Sequence, residues 1–386
     1  MPMNYRQQFP ALANKAYFNY GGQGPMPQAA LGAIVAAYER IQTQGPFGFK
    51  TSELVGRESN LTRQAIASEL GVTAESIALT ENVTAGCNIA LWGLNWQPGD
   101  RILISDCEHP GVIASIKEIC RRFQVEIDVF PLMATLDNGD PVTVVTAHLQ
   151  PQTRLVVLSH VLWNTGQVLP LAEIAAGIRQ YSPGNRSIRI LVDAAQSVGL
   201  LPLNLAQLGI DFYAFTGHKW WCGPEGVGGL YIHPDALASL DPTFIGWRSL
   251  DYSKSDLPLV RDARRYEVAT SAYPLYAGLR AAIATHQSWG SAADRASKIV
   301  SLATYLWENL QQVAGISCLN QTAPQSGLVS FQVRSADRAK LVKDLEDRHF
   351  YLRTIVDPDC IRACTHYFTT TAEIDELIQC LRELIS

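Results

Sequence analysis

Over roughly the first 230 residues, short apolar runs bounded by turn residues alternate with segments carrying apolar side chains at helical spacing. Residues 76–80, 101–105, 125–130, 154–159, 188–192 and 212–215 read as strands, and 28–44, 58–70, 84–92, 143–148 and 171–180 as helices. Residues 19–28, crowded with Gly, Pro and Gln, read as an extended arm or loop. Continuously apolar strands separated by helices predict an α/β fold with a mostly parallel sheet covered on both faces. Ligands of such sheets bind beyond the carboxyl ends of the strands. Thr80, residues 106–109, His160, Asp193 and residues 216–219 all follow strands at that end, so they are expected along one edge.

After Tyr231 the pattern changes. Residues 241–265 are loop-like, with Pro242, Gly246 and Pro258. Helical spacing returns at 273–289, 292–313, 336–348 and 372–385, with strands at 328–333, 351–355 and 361–365. This predicts a smaller α+β unit. The expected division is an arm over residues 1–16 that packs with the small domain, a large domain over 17–260 and a small C-terminal domain over 261–386. A chain of 386 residues suits two domains. A formal net charge of −5 without a basic run argues against a nucleic-acid partner. No apolar run is long enough for a bilayer, and no apolar signal core follows Met1, so a cytoplasmic protein is expected. The eight cysteines are scattered, as in a reducing compartment. Cys360 and Cys364 lack a second pair at zinc-ligand spacing, so no metal site is expected.

The chemistry concentrates in Phe215-Thr216-Gly217-His218-Lys219, one strand-loop unit after Val192-Asp193-Ala194-Ala195-Gln196. Pyridoxal phosphate (PLP) needs a lysine amine for a Schiff base, a carboxylate for its ring nitrogen and short donors for its phosphate. This stretch supplies all three. A lysine is ordinarily a solvated charge, but Lys219 lies among Phe215, Trp220, Trp221 and Gly223, which would desolvate its amine and lower its pKa. Asp193 alone could be a helix cap; with Lys219 it is a partner for a pyridinium. Residues 82–88 join a strand to a helix of small residues, either a phosphate seat or an ordinary capped helix, with Thr84 adding a hydroxyl. His109 follows a strand, where a satisfied structural histidine is the plainer account and a place over a flat cofactor ring the alternative; His160 and Asn164 follow another strand, where loop packing is the plain account. Arg353 and Arg362 flank Asp357-Pro358-Asp359. Arg362 sits between Ile361 and Ala363 on a buried strand, so its guanidinium requires an anionic partner, for which a substrate carboxylate is a candidate.

These residues together resemble the class V aminotransferase family, which includes cysteine desulfurases, selenocysteine lyases and kynureninase-like enzymes. The resemblance runs from Tyr17-Phe18-Asn19-Tyr20-Gly21-Gly22 to Arg362-Ala363-Cys364-Thr365-His366-Tyr367 and residues 370–377. It implies the PLP-dependent fold type I, with a seven-stranded sheet, and a homodimer whose active site lies at the subunit interface. It implies that Lys219 carries PLP, Asp193 pairs with the ring nitrogen, His109 stacks on the ring, and Gln196 and Asn164 contact the cofactor. Thr84, Ala85, Thr216 and His218 would hold the phosphate, with Thr270 donated by the partner subunit. Gly21, Gly22, Arg353 and Arg362 would bind substrate.

In desulfurases an asparagine lies three residues after the histidine of the Ser-His-Val segment. Here that position is Trp163 and Asn164 comes one later. Desulfurases also carry a persulfide-forming cysteine on a long loop between the positions of Arg353 and Arg362. The loop here is short, and Cys360 stands two residues before Arg362. The chain therefore looks most like the cysteine/cystine C–S lyase branch. The implied reaction is β-elimination to pyruvate, ammonia and cysteine persulfide or sulfide, with sulfur supply to iron–sulfur clusters as the implied use. Two arginines would match the two carboxylates of cystine. The alternatives are a desulfurase using Cys360, another PLP reaction such as epimerisation or kynurenine cleavage, and a silent scaffold retaining the fold.

Overall fold

The computed structural model describes residues 5–181, 187–334 and 337–385. Two short 3₁₀ turns lead to β1 (Ala16–Tyr17), followed by α1 (Gln28–Gln44) and α2 (Phe49–Leu70). The main alternation is β2 (Ile77–Thr80), α3 (Val83–Gly93), β3 (Arg101–Ser105), α4 (Pro110–Phe123), β4 (Glu126–Phe130), α5 (Pro141–Ala147), β5 (Thr153–Ser159), α6 (Leu171–Gln180), β6 (Arg189–Asp193), β7 (Phe212–Thr216) and β8 (Gly228–Ile232). Then come α7 (Tyr273–Trp289), α8 (Ala292–Leu310), β9 (Ile316–Cys318), β10 (Leu328–Val333), α9 (Arg338–Asp347), β11 (Phe350–Tyr351), β12 (Arg353–Ile355), β13 (Cys360–Cys364) and α10 (Thr371–Ile385).

The large sheet has seven strands in the order β2-β8-β7-β6-β5-β3-β4. The pairings β4–β3–β5–β6–β7 are parallel, while β8 runs antiparallel to both β7 and β2. The two reversals cancel, so β2 points the same way as the parallel strands. Its last residue, Thr80, reaches the same edge as Asp193 and Thr216. Alternate strand residues face opposite sides. Val156, Leu158, Ile190 and Val192 pack into one core with Ile66 and Leu70 of α2 and Ile174 and Ile178 of α6. Leu155, Val157 and Leu191 pack into the other with Leu91 of α3 and Ile116 and Ile119 of α4. The smaller sheet is antiparallel, β12-β13-β10-β9, and its core draws Leu302 and Leu306 from α8, Leu341 and Leu345 from α9 and Leu377 from α10. β1 pairs in parallel with β11, and Arg6 forms an ion pair with Glu373 of α10 at 2.6 Å, so the chain's beginning lies against its end.

Several elements differ from the sequence expectation, among them β1, β8 and β9, which the residue pattern did not predict; β8 opens on Gly228-Gly229, a weak strand signal. Helix α4 was not anticipated; Val112, Ile116 and Ile119 form its buried stripe, and His109 and Pro110 start it. Helix α2 begins at Phe49 rather than at 58, because its first turns bury only Thr51 and show no apolar periodicity. Residues 351–355 are not one strand: β11 and β12 flank Leu352 and belong to different sheets. The helix expected over 336–348 is seen over Arg338–Asp347, and Ala336 lies outside the described residues. Helix α7 follows the boundary expected near residue 260, yet it sends Tyr276, Leu279 and Ile283 into the large sheet's core.

Candidate active site

Strand β6 ends at Asp193, which is 6% exposed. Its Oδ1 accepts the backbone N–H of Ala195 at 2.9 Å, so the aspartate does cap a turn while remaining at the sheet edge. Strand β7 ends at Thr216, whose hydroxyl lies 2.6 Å from Nδ1 of His218. Lys219 follows on a tight turn in which four consecutive carbonyls are all engaged. His218 accepts from Gly24 N–H (2.8 Å) and Lys219 from Cys222 N–H (3.0 Å). Trp220 accepts from Nε2 of His366 (3.1 Å) and Trp221 from Nε2 of His286 (2.8 Å). A Cβ on Gly24 would come within 2.2 Å of the Lys219 carbonyl, so only glycine lets the arm approach this turn. Burial lowers the Lys219 pKa to about 8; Asp193 opposes the shift and Arg362 and Arg353 reinforce it. Half of such amines are neutral near pH 8, as a nucleophile or base requires.

His109 follows β3 and caps α4, its Nδ1 accepting the N–H of Gly111 at 3.1 Å. Nδ1 is therefore bare, and the neutral ring carries its proton on Nε2. The ring meets Trp163 edge-on at 5.3 Å, and the residue as a whole is partly open to solvent. Burial of the group holds its pKa below the ordinary histidine value, and Lys219, Arg353 and Arg362 push the same way against Asp193. The charges that act on His109 and on Lys219 are thus largely one set, which brings His109, Asp193, Lys219, Arg353 and Arg362 together. Beneath them lies Glu108, which sequence reasoning did not single out. Its carboxyl accepts from Ser105 Oγ (2.6 Å), Ser159 N–H (3.1 Å) and Ser159 Oγ (2.8 Å). Burial pushes its pKa up to about 7. The available signal was an acid wedged between Cys107 and His109, three residues past a strand with an apolar middle, Ile102-Leu103-Ile104.

At the start of α3, Asn82 Oδ1 accepts the N–H of Ala85 at 2.9 Å, so that donor is engaged within the helix, while the Thr84 side chain is exposed. Ala85 lines a cavity of about 360 Å3 with Thr80, Asn88, Trp92, Phe244 and Thr270. Thr270 is exposed in the single chain.

Arg362 on β13 is 1% exposed. Its Nη1 donates to the Trp163 carbonyl at 2.6 Å, but Nε and Nη2 have no partner. Burial lowers its pKa. No carboxylate of the described residues forms an ion pair with it. A buried guanidinium with two unanswered N–H donors is a fork set for an anion. Arg353 stands opposite it in the β12–β13 register and is exposed. Gly21 lies against the guanidinium, where a Cβ would meet Cζ at 2.9 Å. Gly22 backs onto Asn19 instead. Gln196 joins the arm to the lysine turn, donating Nε2–H to the Gly21 carbonyl (2.8 Å) and accepting Trp220 Nε1–H (2.9 Å). Asn164 is buried; its Nδ2 donates to the Asp357 carbonyl at 3.3 Å and its Oδ1 has no partner. Cys360 is fully buried at the start of β13, and burial pushes its thiol up to about 11. Among the described residues, no group of three or more His, Cys, Asp or Glu side chains could hold a metal ion.

Comparison with known proteins places this geometry. A structure of the cystine C–S lyase C-DES with its reaction product cysteine persulfide is 51% identical, covers 97% of this chain and 99% of that one, and superposes with a TM-score of 0.95. A lysine-to-alanine mutant of C-DES, with glycine covalently linked to its PLP cofactor, is 50% identical over 99% of this chain and 100% of that one, with a TM-score of 0.96. Isopenicillin N epimerase from Streptomyces clavuligerus is 28% identical over 381 residues, 95% of this chain and 94% of its own. The family model described as Aminotransferase class-V matches residues 16–377, and the chain belongs to that family.

Proposed function

We propose that this protein is a PLP-dependent C–S lyase that cleaves cystine or cysteine by β-elimination, giving pyruvate, ammonia and a persulfide or sulfide. The donor set fits the cofactor: a desolvated amine at Lys219, a buried carboxylate at Asp193, and hydroxyl and imidazole groups at Thr216 and His218, all on one sheet edge. Bound PLP supplies the electron sink for charge that develops at the substrate Cα. Lys219 would hold the cofactor through its amine, and the same amine, in its neutral form, would be the base for the substrate Cα proton. Asp193 holds a proton at the ring nitrogen. His109 presents its ring to the cofactor, and Gln196 and Asn164 flank it. Thr84, Thr216 and His218 would hold the phosphate beside the helix start at Ala85, whose own N–H is taken by Asn82, with Thr270 arriving from a second copy of the chain.

Arg362 grips the substrate carboxylate with the two N–H groups the protein leaves unanswered. Arg353, one strand across, is placed for the second carboxylate of cystine. The observation that carries elimination over sulfur transfer is Cys360. A persulfide acceptor must expose a thiolate, whereas this thiol is buried in a strand and held protonated. The sulfur then leaves with its electrons.

An exposed apolar face supports a homodimer. Helix α1 buries only Ala30, exposes Leu31, Val35 and Tyr38, and is followed by Phe47 and Phe49, both almost wholly exposed. A second copy would cover such a face. No helix among the described residues is long and apolar enough to cross a membrane.

The test is to incubate the purified protein with PLP and with cystine or cysteine, assaying pyruvate, alanine and persulfide. A lyase makes pyruvate, and Cys360→Ala continues to make it. Alanine formation that depends on Cys360 would establish a desulfurase instead.

A further inference from the structure

The carbonyls of Trp220 and Trp221, the two residues after Lys219, each accept from a histidine side chain. A carbonyl can only accept, so Nε2 carries hydrogen in both His366 and His286. In His286 the other nitrogen, Nδ1, lies 2.8 Å from the Tyr367 hydroxyl. Were Nδ1 also protonated, the ring would be a cation, 2% exposed, without a carboxylate partner. The charged group that acts on it is Arg295 of α8, which is itself paired with Glu69 of α2 and repels a cation. Tyr367 must therefore donate to a bare Nδ1. In His366 the bare Nδ1 is buried with no partner among rings of Tyr20, Trp220 and Phe368. Protonating it would strand an N–H⁺ among aromatics.

The two rings come from separate elements. His286 lies on α7, packed into the large core. His366 lies four residues beyond Arg362, past the end of β13. Between them Cys364 donates its N–H to the Phe18 carbonyl, and Thr365 donates its own to Gly327. One short segment thus runs from the partly unanswered guanidinium of Arg362 to the back of the lysine turn.

We propose that His366 and His286 are positioning residues for Lys219, two neutral imidazoles in the Nε2–H form that clamp successive carbonyls of its turn and tie that turn to the strand bearing Arg362. The assignment rests on the reading of Lys219 as the amine that carries the cofactor. Clamping from two sides sets where the amine stands and how far water reaches it.

The first test needs no cofactor. Nitrogen NMR of histidine-labelled wild-type protein at pH 7 should show both side chains as neutral Nε2–H tautomers; an Nδ1–H tautomer or an imidazolium at either position overturns the clamp. The second uses the PLP-loaded protein. His366→Leu removes the donor, and His366→Gln restores one. In the leucine variant we expect kcat to fall about tenfold or more, the worth of one lost positioning hydrogen bond. KM for cysteine should stay within about threefold because Arg362 is untouched. The pH midpoint of the cofactor's visible band should move, and the glutamine variant should recover most of both losses. A folded leucine variant with the wild-type midpoint and kcat, or a glutamine variant no better than leucine, overturns the proposal. A wild-type protein that forms no Lys219-dependent visible band with PLP sinks the functional reading instead, and the tautomer measurement still decides the clamp.

Discussion

Arg362 is the residue whose chemistry is least satisfied by its own protein. Its fork of donors is planar and fixed, so lysine is not a conservative replacement. Arg362→Lys should raise KM for cysteine about 10- to 100-fold, the range expected for losing a charge-assisted bidentate contact, with the visible cofactor band retained; steady-state kinetics with band measurement checks this. Arg353 is exposed, and its proposed partner exists only in the longer substrate. Arg353→Ala should therefore reduce cystine turnover more than cysteine turnover, and equal losses would remove it from the substrate site. Lys219 offers a pH test with a definite sign. Burial lowers its pKa to about 8, so the neutral amine that condenses with an aldehyde becomes more available as pH rises. The rate at which apoprotein takes up PLP should climb about tenfold per pH unit below that value and level off above it. An uptake rate flat between pH 6 and 8 would refute the assignment.

At the level of elements, α4 joins the core to the site. Its N-terminus is capped by His109, and its buried stripe of Val112, Ile116 and Ile119 anchors it beneath the sheet. Ile116→Ala should lower unfolding stability by about 2–5 kcal/mol, read as a lower denaturant midpoint. The strands were legible because buried parallel strands are short apolar runs, and Asp193, Thr216 and Lys219 were legible because they end or follow such runs. Helix α4 carries its own periodicity, but it begins immediately after the site-like residues 106–109, which mask its start. Arg362 was legible as a charge inside an apolar strand. The histidine clamp was not legible, because His286 and His366 are distant in sequence and meet only where α7 and the end of β13 reach the same turn. Glu108 was missed for a related reason: its partners Ser105 and Ser159 lie on two different strands.

For the whole molecule, buried histidines set an acid limit. Burial holds His160 and His286 near 3, against an ordinary 6.5, and lowers His366 as well. The unfolded chain takes up these protons below pH about 6.5, whereas the folded chain resists until near 3. The stability they contribute is full above that unfolded value and is lost progressively as pH falls through the window. Glu108 has the opposite sign: its pKa of about 7, against 4.5, favours the fold at low pH and weakens it as pH rises. Three groups outweigh one, so the melting temperature should be lower at pH 5 than at pH 7.5; a higher one at pH 5 would show that the histidines are not held neutral. The lone reversed strand has a further consequence. β2 sits at the sheet's margin, and the strand it pairs with is β8, which ends at Ile232. On the ribosome, at about 5–20 residues per second, β2 emerges on the order of ten seconds before its partner exists. The apolar Ile77-Ala78-Leu79 strip passes that interval without its native strand partner.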